Sequence, residues 1–216
     1  MATTEVKTEG IPGVGDDRRS VILRAALEII DERGFADTRI ADVAERAGVS
    51  PALVIYYFQT KDKLLSDAMR MAEEAWYRLG AIRLEGLTSA RARLEEVVAM
   101  TCLPETEELL PEAWTVWLDL WAQALRHEAV AAVRAEADAH WRSTIAGIVA
   151  DGQAAGEFSR LDANEFAVAL SALLDGLAIQ IALGDPEVGP ERAFQITMYF
   201  AGSMLGFDGL THRLSA

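Results

Sequence analysis

Cysteine is all but missing from this chain. Cys102 stands alone among 216 residues, which excludes an intramolecular disulfide framework and fits a reducing compartment. As a small hydrophobe in a helical stretch it reads as core, or as a companion of a cavity wall. Histidine is nearly as scarce: His127, His140 and His212 are the full set. "HEAVA" at 127–131 lacks the second histidine of a zinc-protease helix, so no metal site is expected. There is no phosphate-binding glycine loop and no nucleophile motif, so neither a cofactor nor catalysis is expected. Residues 1–20, "MATTEVKTEGIPGVGDDRRS", hold no apolar run of the kind a secretory signal needs. Residues 1–16 read as a disordered arm, and the protein as cytoplasmic.

Alternating strand patterns are also missing. Almost every segment carries the helical period, so the chain reads as all-α. Only one apolar run is long, "FAVALSALLDGLAIQIALG" at 166–184, close to the length of a bilayer span. Asp175 sits at its middle, where a carboxylate costs roughly 2.5–3.5 kcal/mol on insertion scales. Acids flank it and no cation stands close by to set an orientation. A helix apolar all round is then buried in protein, here between subunits.

Positive charge is in deficit. Twenty Lys and Arg face 34 Asp and Glu, a net charge of −14. Residues 1–65 are almost balanced, with nine cations against eleven acids, so the acidity belongs to the remainder. Most of that acidic surface is thus carried away from the N-terminal end, and its field is screened beyond a Debye length (about 8–10 Å).

What the chain does contain is a helix-turn-helix pattern. A first helix over 17–33 ends at Gly34, and Thr38 reads as the N-cap of a short second helix ending at Gly48. Ser50 caps a third helix, with Pro51 at its first position, where a missing N–H costs nothing. Thr60 then caps a longer helix over 61–79. Ala44 allows close helix approach, and Gly48 can take the positive φ of a tight turn. Ile40, Val43, Ala47, Val49, Val54 and Phe58 form a small core with the first helix. Ser50, Ala52, Leu53, Ile55, Tyr56 and Tyr57 are left on the outer side. Further helices follow near 88–102, 111–126, 128–155, 162–183 and 190–206.

The stretch "ILRAALEIIDERGFADTRIADVAERAGVSPALVIYYFQTKDKLL" resembles the DNA-binding domain of the TetR family of transcriptional regulators. The resemblance implies an N-terminal three-helix helix-turn-helix domain at 17–65. A larger helical bundle for ligand binding and dimerisation would follow at 66–216. It places Ser50, Ala52, Leu53, Tyr56 and Tyr57 against DNA. Lys61, at a helix start, would meet a phosphate, where side-chain charge and backbone N–H groups act together. Arg39 is a candidate phosphate or base-edge contact, and Arg18 and Arg19 could follow the DNA backbone. Ile55 departs from the tyrosine frequent in the family, and Tyr57 stands at its frequent histidine. The last two helices commonly build a four-helix bundle with a second subunit, and "LLDGL" at 173–177 resembles a pattern seen there.

In "EAWTVWLDLWAQALR", Trp114, Trp117 and Trp121 fall at i, i+3 and i+7 on one stripe. Such a stripe reads as core packing or as the aromatic wall of an inducer cavity. Trp76, Met100, Cys102, Trp141 and Gln180 are its candidate companions, with Asp175 either an interface residue or a ligand-binding carboxylate. "WLDLWAQALR" also resembles the subgroup that includes choline-responsive repressors of betaine synthesis. A cationic ligand on an aromatic face is then one expectation, with an apolar or phenolic effector equally open. The combined reading is a homodimeric repressor on an inverted-repeat DNA operator, released by a small-molecule inducer, with the helix from Lys61 as the lever. The alternative is a DNA-binding dimer that senses nothing small, or one controlled by a protein partner.

The reading surface is poor in side chains that pair bidentately with base edges. Recognition should therefore lean on thymine-methyl contacts from Ala52, Leu53 or Ile55 and on DNA shape. Base-by-base operator substitution should cost most at A·T pairs under the third helix; dominance of G·C positions there would contradict it.

Overall fold

The computed structural model describes residues 18–103 and 111–209, with backbone alone described for 111–116. The expected arm at 1–16, the break near 104–110 and the Trp114 side chain lie outside the described residues. Nine helices make up the described chain, and no strand is found among these residues. They are α1 (Arg18–Asp37), α2 (Ile40–Arg46), α3 (Pro51–Phe58), α4 (Lys61–Leu84), α5 (Ala90–Cys102), α6 (Pro111–Ala124), α7 (Glu128–Ala155), α8 (Ala163–Ala182) and α9 (Pro190–Leu205).

Local chemistry sets most of these ends. Ser50 accepts a hydrogen bond from the Leu53 N–H at 3.2 Å, with Pro51 in the first turn of α3. Thr60 accepts from Lys63 N–H at 3.1 Å and Asp162 from Asn164 N–H at 2.9 Å, each such cap contributing about 1 kcal/mol. Gly48 turns the chain between α2 and α3 at φ 65°. One cap differs from expectation. Arg39, not Thr38, is the N-cap residue of α2, and it makes no side-chain cap. The helical conformation of α1 breaks at Gly34 (φ 78°, ψ 163°). Thr38 is enclosed beneath that break, where its hydroxyl donates to the Gly34 carbonyl at 2.7 Å and so does not serve α2. α4 also runs past 79 to Leu84: Gly80 continues it, leaving room for Met100 of α5 against its backbone.

Two apolar cores result. One is built by α5, α7, α8 and α9, with Phe166, Leu170, Leu174, Phe194 and Met198 at its centre. The other holds the helix-turn-helix together through Ile22, Ile29, Val43, Val54, Phe58 and Leu65. It does not stop at the head. Leu120 of α6 and Val130 and Val133 of α7 are buried in the same cluster, so the helix-turn-helix shares a core with the body. α8 is apolar and long enough to cross a membrane by length and composition. It packs against α6, α7 and α9, but only 39% of its apolar window is buried. Val168, Ile179, Leu183, Tyr199 and Met204 remain exposed on α8, its C-terminal end and α9.

Gly152 of α7 marks the closest approach in the body core. A Cβ there would lie 2.2 Å from the Phe158 ring and 2.8 Å from the Ala90 Cβ. Gly152→Ala should destabilise the fold by about 1–3 kcal/mol through overpacking, against the usual gain of a helical Gly→Ala change. Thermal unfolding of the full chain measures it.

Candidate functional site

The outer side of α3 has the composition of a groove-reading surface. Tyr56 is 77% exposed and Ile55 49%. Ser50 and Ala52 are exposed, while Leu53 and Tyr57 are half-buried, Tyr57 resting against the head core. The cations around it divide into two groups. Arg46 is held by Glu32 at 2.7 Å and Glu28 at 3.0 Å, and Arg33 reaches Asp42 at 3.5 Å. Arg19 pairs with Asp67 at 2.8 Å and lies over the Phe58 ring at 5.3 Å; Lys63 shares the same carboxylate at 3.2 Å. Lys61 donates to the Ala36 carbonyl at 2.8 Å, so its ammonium is tied to the end of α1. Arg18 and Arg39 are exposed and make no ion pair among the described residues.

A second feature lies in the body. A cavity of about 140 Å³ opens between α4, α5, α6, α7 and α8, smaller than the roughly 300–1,000 Å³ of drug-sized sites. Trp76, Trp117, Trp121 and Trp141 line it, with Tyr77, Met100 and Thr101. Trp76 and Trp141 meet edge to face, their ring centroids 5.4 Å apart. The structure thus brings together Trp76, Met100, Trp117, Trp121, Trp141 and Asp175 from the sequence-derived set. Cys102 is buried in the body core, its thiol pushed up to about 12 by burial. Gln180 is exposed and does not line the cavity. It follows Asp175 by five residues, about 140° around the helix, so the two cannot share a face.

Three carboxylates line the cavity, and their partners differ. Asp138 is held by Arg134 at 3.1 Å and by Arg142 at 3.8 Å. Glu73 faces the His140 imidazole at 3.4 Å, and that ring stacks on Tyr77 at 3.7 Å between centroids. Burial pushes the Tyr77 phenol up to about 12. Asp175 makes no hydrogen bond or ion pair to any described residue. Burial first, and then the Asp138 charge, raise its carboxyl to about 6, against a smaller opposing effect of Arg134 and Arg142. Glu73, Tyr77 and Asp138 were not singled out from sequence. The signal was helical phase: Glu73 is three residues before Trp76, and Asp138 three before Trp141.

Because the native Asp175 carboxyl holds its proton to higher pH than it does in the unfolded chain, the native state binds more protons across pH 4–6. Stability attributable to this group therefore falls as pH rises through about 6. Asp175→Asn should raise the melting temperature at pH 7.5 and leave it nearly unchanged at pH 4. The gain should be on the order of 2–4 °C, the response of a chain this size to about 1 kcal/mol, partial exposure having screened the shift. Scanning calorimetry at the two pH values checks the sign.

The comparisons with known proteins agree with this arrangement of head and body. Residues 22–68 match the family described as bacterial regulatory proteins, tetR family, and residues 90–206 match the BetI-type transcriptional repressor, C-terminal domain. The HTH-type transcriptional regulator BetI of Burkholderia cenocepacia is 29% identical over 197 residues, 91% of this chain and 98% of that protein. A transcriptional regulator from Saccharomonospora viridis, solved in complex with choline, is 32% identical with a TM-score of 0.79, covering 87% of this chain and 96% of its own. A TetR-family regulator from a Rhodococcus species is 33% identical with a TM-score of 0.77, over 87% and 98% of the two chains. The relatives are transcriptional regulators, not enzymes. With its helix-turn-helix head and a matched BetI-type body, the chain belongs to the TetR family of transcriptional regulators.

Proposed function

We propose that this protein is a repressor that holds an inverted-repeat operator as a homodimer and is released by a small cation of the choline type. The observation that carries the reading is Asp175, an unpartnered, half-buried carboxylate in a cavity lined by four indoles. A quaternary ammonium ion cannot donate a hydrogen bond from its charged centre, so aromatic faces and a carboxylate of opposite charge suit it. Each face contributes about 0.5–2 kcal/mol, most where water is excluded. The small volume favours a compact ligand. The choline bound by the Saccharomonospora viridis regulator supports the same ligand class.

The dimer follows from geometry and from exposed apolar surface. One α3 in one groove spans only a few base pairs, whereas two-fold pairing sets two such helices about 34–36 Å apart or a multiple of it. The exposed apolar surface that Val168 and Ile179 give α8 and Tyr199 gives α9 is the natural place for that pairing. Release follows from linkage. A ligand that binds better to the head spacing that does not fit DNA must weaken operator binding by the same factor. α4 joins the two sites, with Lys61 at the DNA end and Glu73, Trp76 and Tyr77 at the cavity.

Choline should quench the tryptophan fluorescence of the full chain saturably, whereas 3,3-dimethylbutan-1-ol, of matching shape but neutral, should bind at least tenfold more weakly. Asp175→Asn should weaken choline by a similar factor while leaving operator affinity in its absence unchanged. Equal affinity for the cation and its neutral analogue would refute charge recognition, and no binding of choline would refute the ligand class.

A further inference from the structure

α6 has two working faces. Trp117 and Trp121, one turn apart, line the cavity. Asp119 lies two residues from each, about 200° around the helix, and so projects to the other side. Leu120 beside it is buried in the core of the DNA-binding head. The Asp119 carboxylate accepts a hydrogen bond from the Phe35 backbone N–H, 84 residues away in sequence. Its other oxygen faces the Gln123 amide at 3.5 Å. The approach is tight, since a Cβ on Gly34 would stand 3.2 Å from the same carboxylate oxygen.

Phe35 is in turn the centre of a knot. Its ring is buried, with the Lys61 ammonium 5.8 Å from its centroid and the His127 ring 6.4 Å away. Lys61 donates to the carbonyl of Ala36, the next residue. It is also the first residue of α4, the helix that follows α3. His127, at the N-cap of α7, places Nδ1 3.6 Å from Asp62, the second residue of α4.

We propose that Asp119 is the positioning residue through which occupation of the cavity reaches the DNA-binding head, by way of Phe35 and Lys61. The proposal rests on the cavity being the ligand site. α4 also joins the two places, but Trp76 lies 15 residues from Lys61, about 22 Å of helix. On α6 the cavity face and the head face are two residues apart. A charge-assisted hydrogen bond to a backbone amide is short and directional. The core around it is close-packed, so movement of α6 has little slack to be lost in. A ligand that displaces Trp117 or Trp121 therefore drags the Phe35 amide, and with it the start of α4.

The test separates ligand binding from its consequence. Choline affinity is measured by calorimetry for the full-length wild type, Asp119→Ala and Asp119→Asn. The affinity of a duplex selected from a random pool by the wild-type protein is then measured with and without saturating choline. Asp119→Ala should bind choline within about twofold of wild type. Its ratio of operator affinities should collapse towards one, from the 5- to 150-fold usual for allosteric coupling. Asp119→Asn, which keeps an acceptor facing the Phe35 amide, should retain most of the ratio. A wild-type ratio in Asp119→Ala overturns the proposal.

A second arm needs no small ligand. In protein labelled with 5-fluorotryptophan, the selected duplex should shift the Trp117 and Trp121 ¹⁹F signals in wild type but not in Asp119→Ala. Shifts that persist in the variant, or are absent from wild type, overturn the proposal. If choline binds no form of the protein, the ligand reading fails by itself and this arm decides the role of Asp119. Asp119→Ser takes the place of the alanine variant if that chain does not fold.

Discussion

The backbone amide of Phe35, bound by a carboxylate from α6, joins the two halves of this regulator. A head of one longer helix and two short ones has too little apolar surface to stand firmly alone. Here its core is completed from outside by Leu120, Val130 and Val133. The break at Gly34 turns the end of α1 towards α6, encloses Thr38 and sets Phe35 against Lys61 and His127. The orientation of the reading helix is therefore not set by a linker. It is set by how α6 and the first turn of α7 lie, and α6 also supplies two walls of the cavity.

Electrostatics in the head follows a related economy. Arg46, Arg33, Arg19 and Lys63 are all paired with head or α4 carboxylates. Exposed pairs of this kind contribute only about 0–1 kcal/mol each to stability. They also cancel field that would otherwise attract any polyanion. Arg18 and Arg39 are exposed and make no ion pair among the described residues. Non-specific affinity scales with the number of phosphates neutralised, so on the proposed reading this pairing among the described residues and the acidic body together keep background binding weak. On the proposed reading, discrimination then depends on the contacts of Ala52, Leu53, Ile55 and Tyr56 rather than on charge.

The helical architecture was legible because its signals are local. Ser50–Pro51, Thr60 and Gly48 act within one turn of where they stand, and the tryptophan stripe of α6 follows from a period of 3.6 residues. Contacts across long sequence separations were not legible. Thr38 looked like a cap because its neighbours are helical, and only the fold shows that the Gly34 carbonyl claims its hydroxyl. Asp119 was not singled out from sequence, since nothing local reveals an amide 84 residues away. Gln180 was grouped with the cavity by proximity along the chain, although its phase on α8 turns it outward from Asp175. Glu73 and Asp138 were recoverable in principle, being one turn from Trp76 and Trp141.

The contrast among the three cavity carboxylates bears most directly on function. Asp138 has two arginines and Glu73 a histidine, so this chain pairs carboxylates where pairing serves the fold. Asp175 lies in the same cavity without a partner and with a raised pKa, which lowers stability at neutral pH. Violations of the pairing rule in an otherwise consistent structure concentrate at functional sites. A paired Asp175 would have to exchange one ion for another when a cation entered, with little net gain. An unpaired one gains a counter-ion it did not have, in surroundings that water screens only in part. That gain moves the head to the extent that it is larger in the head spacing that does not fit DNA than in the one that does.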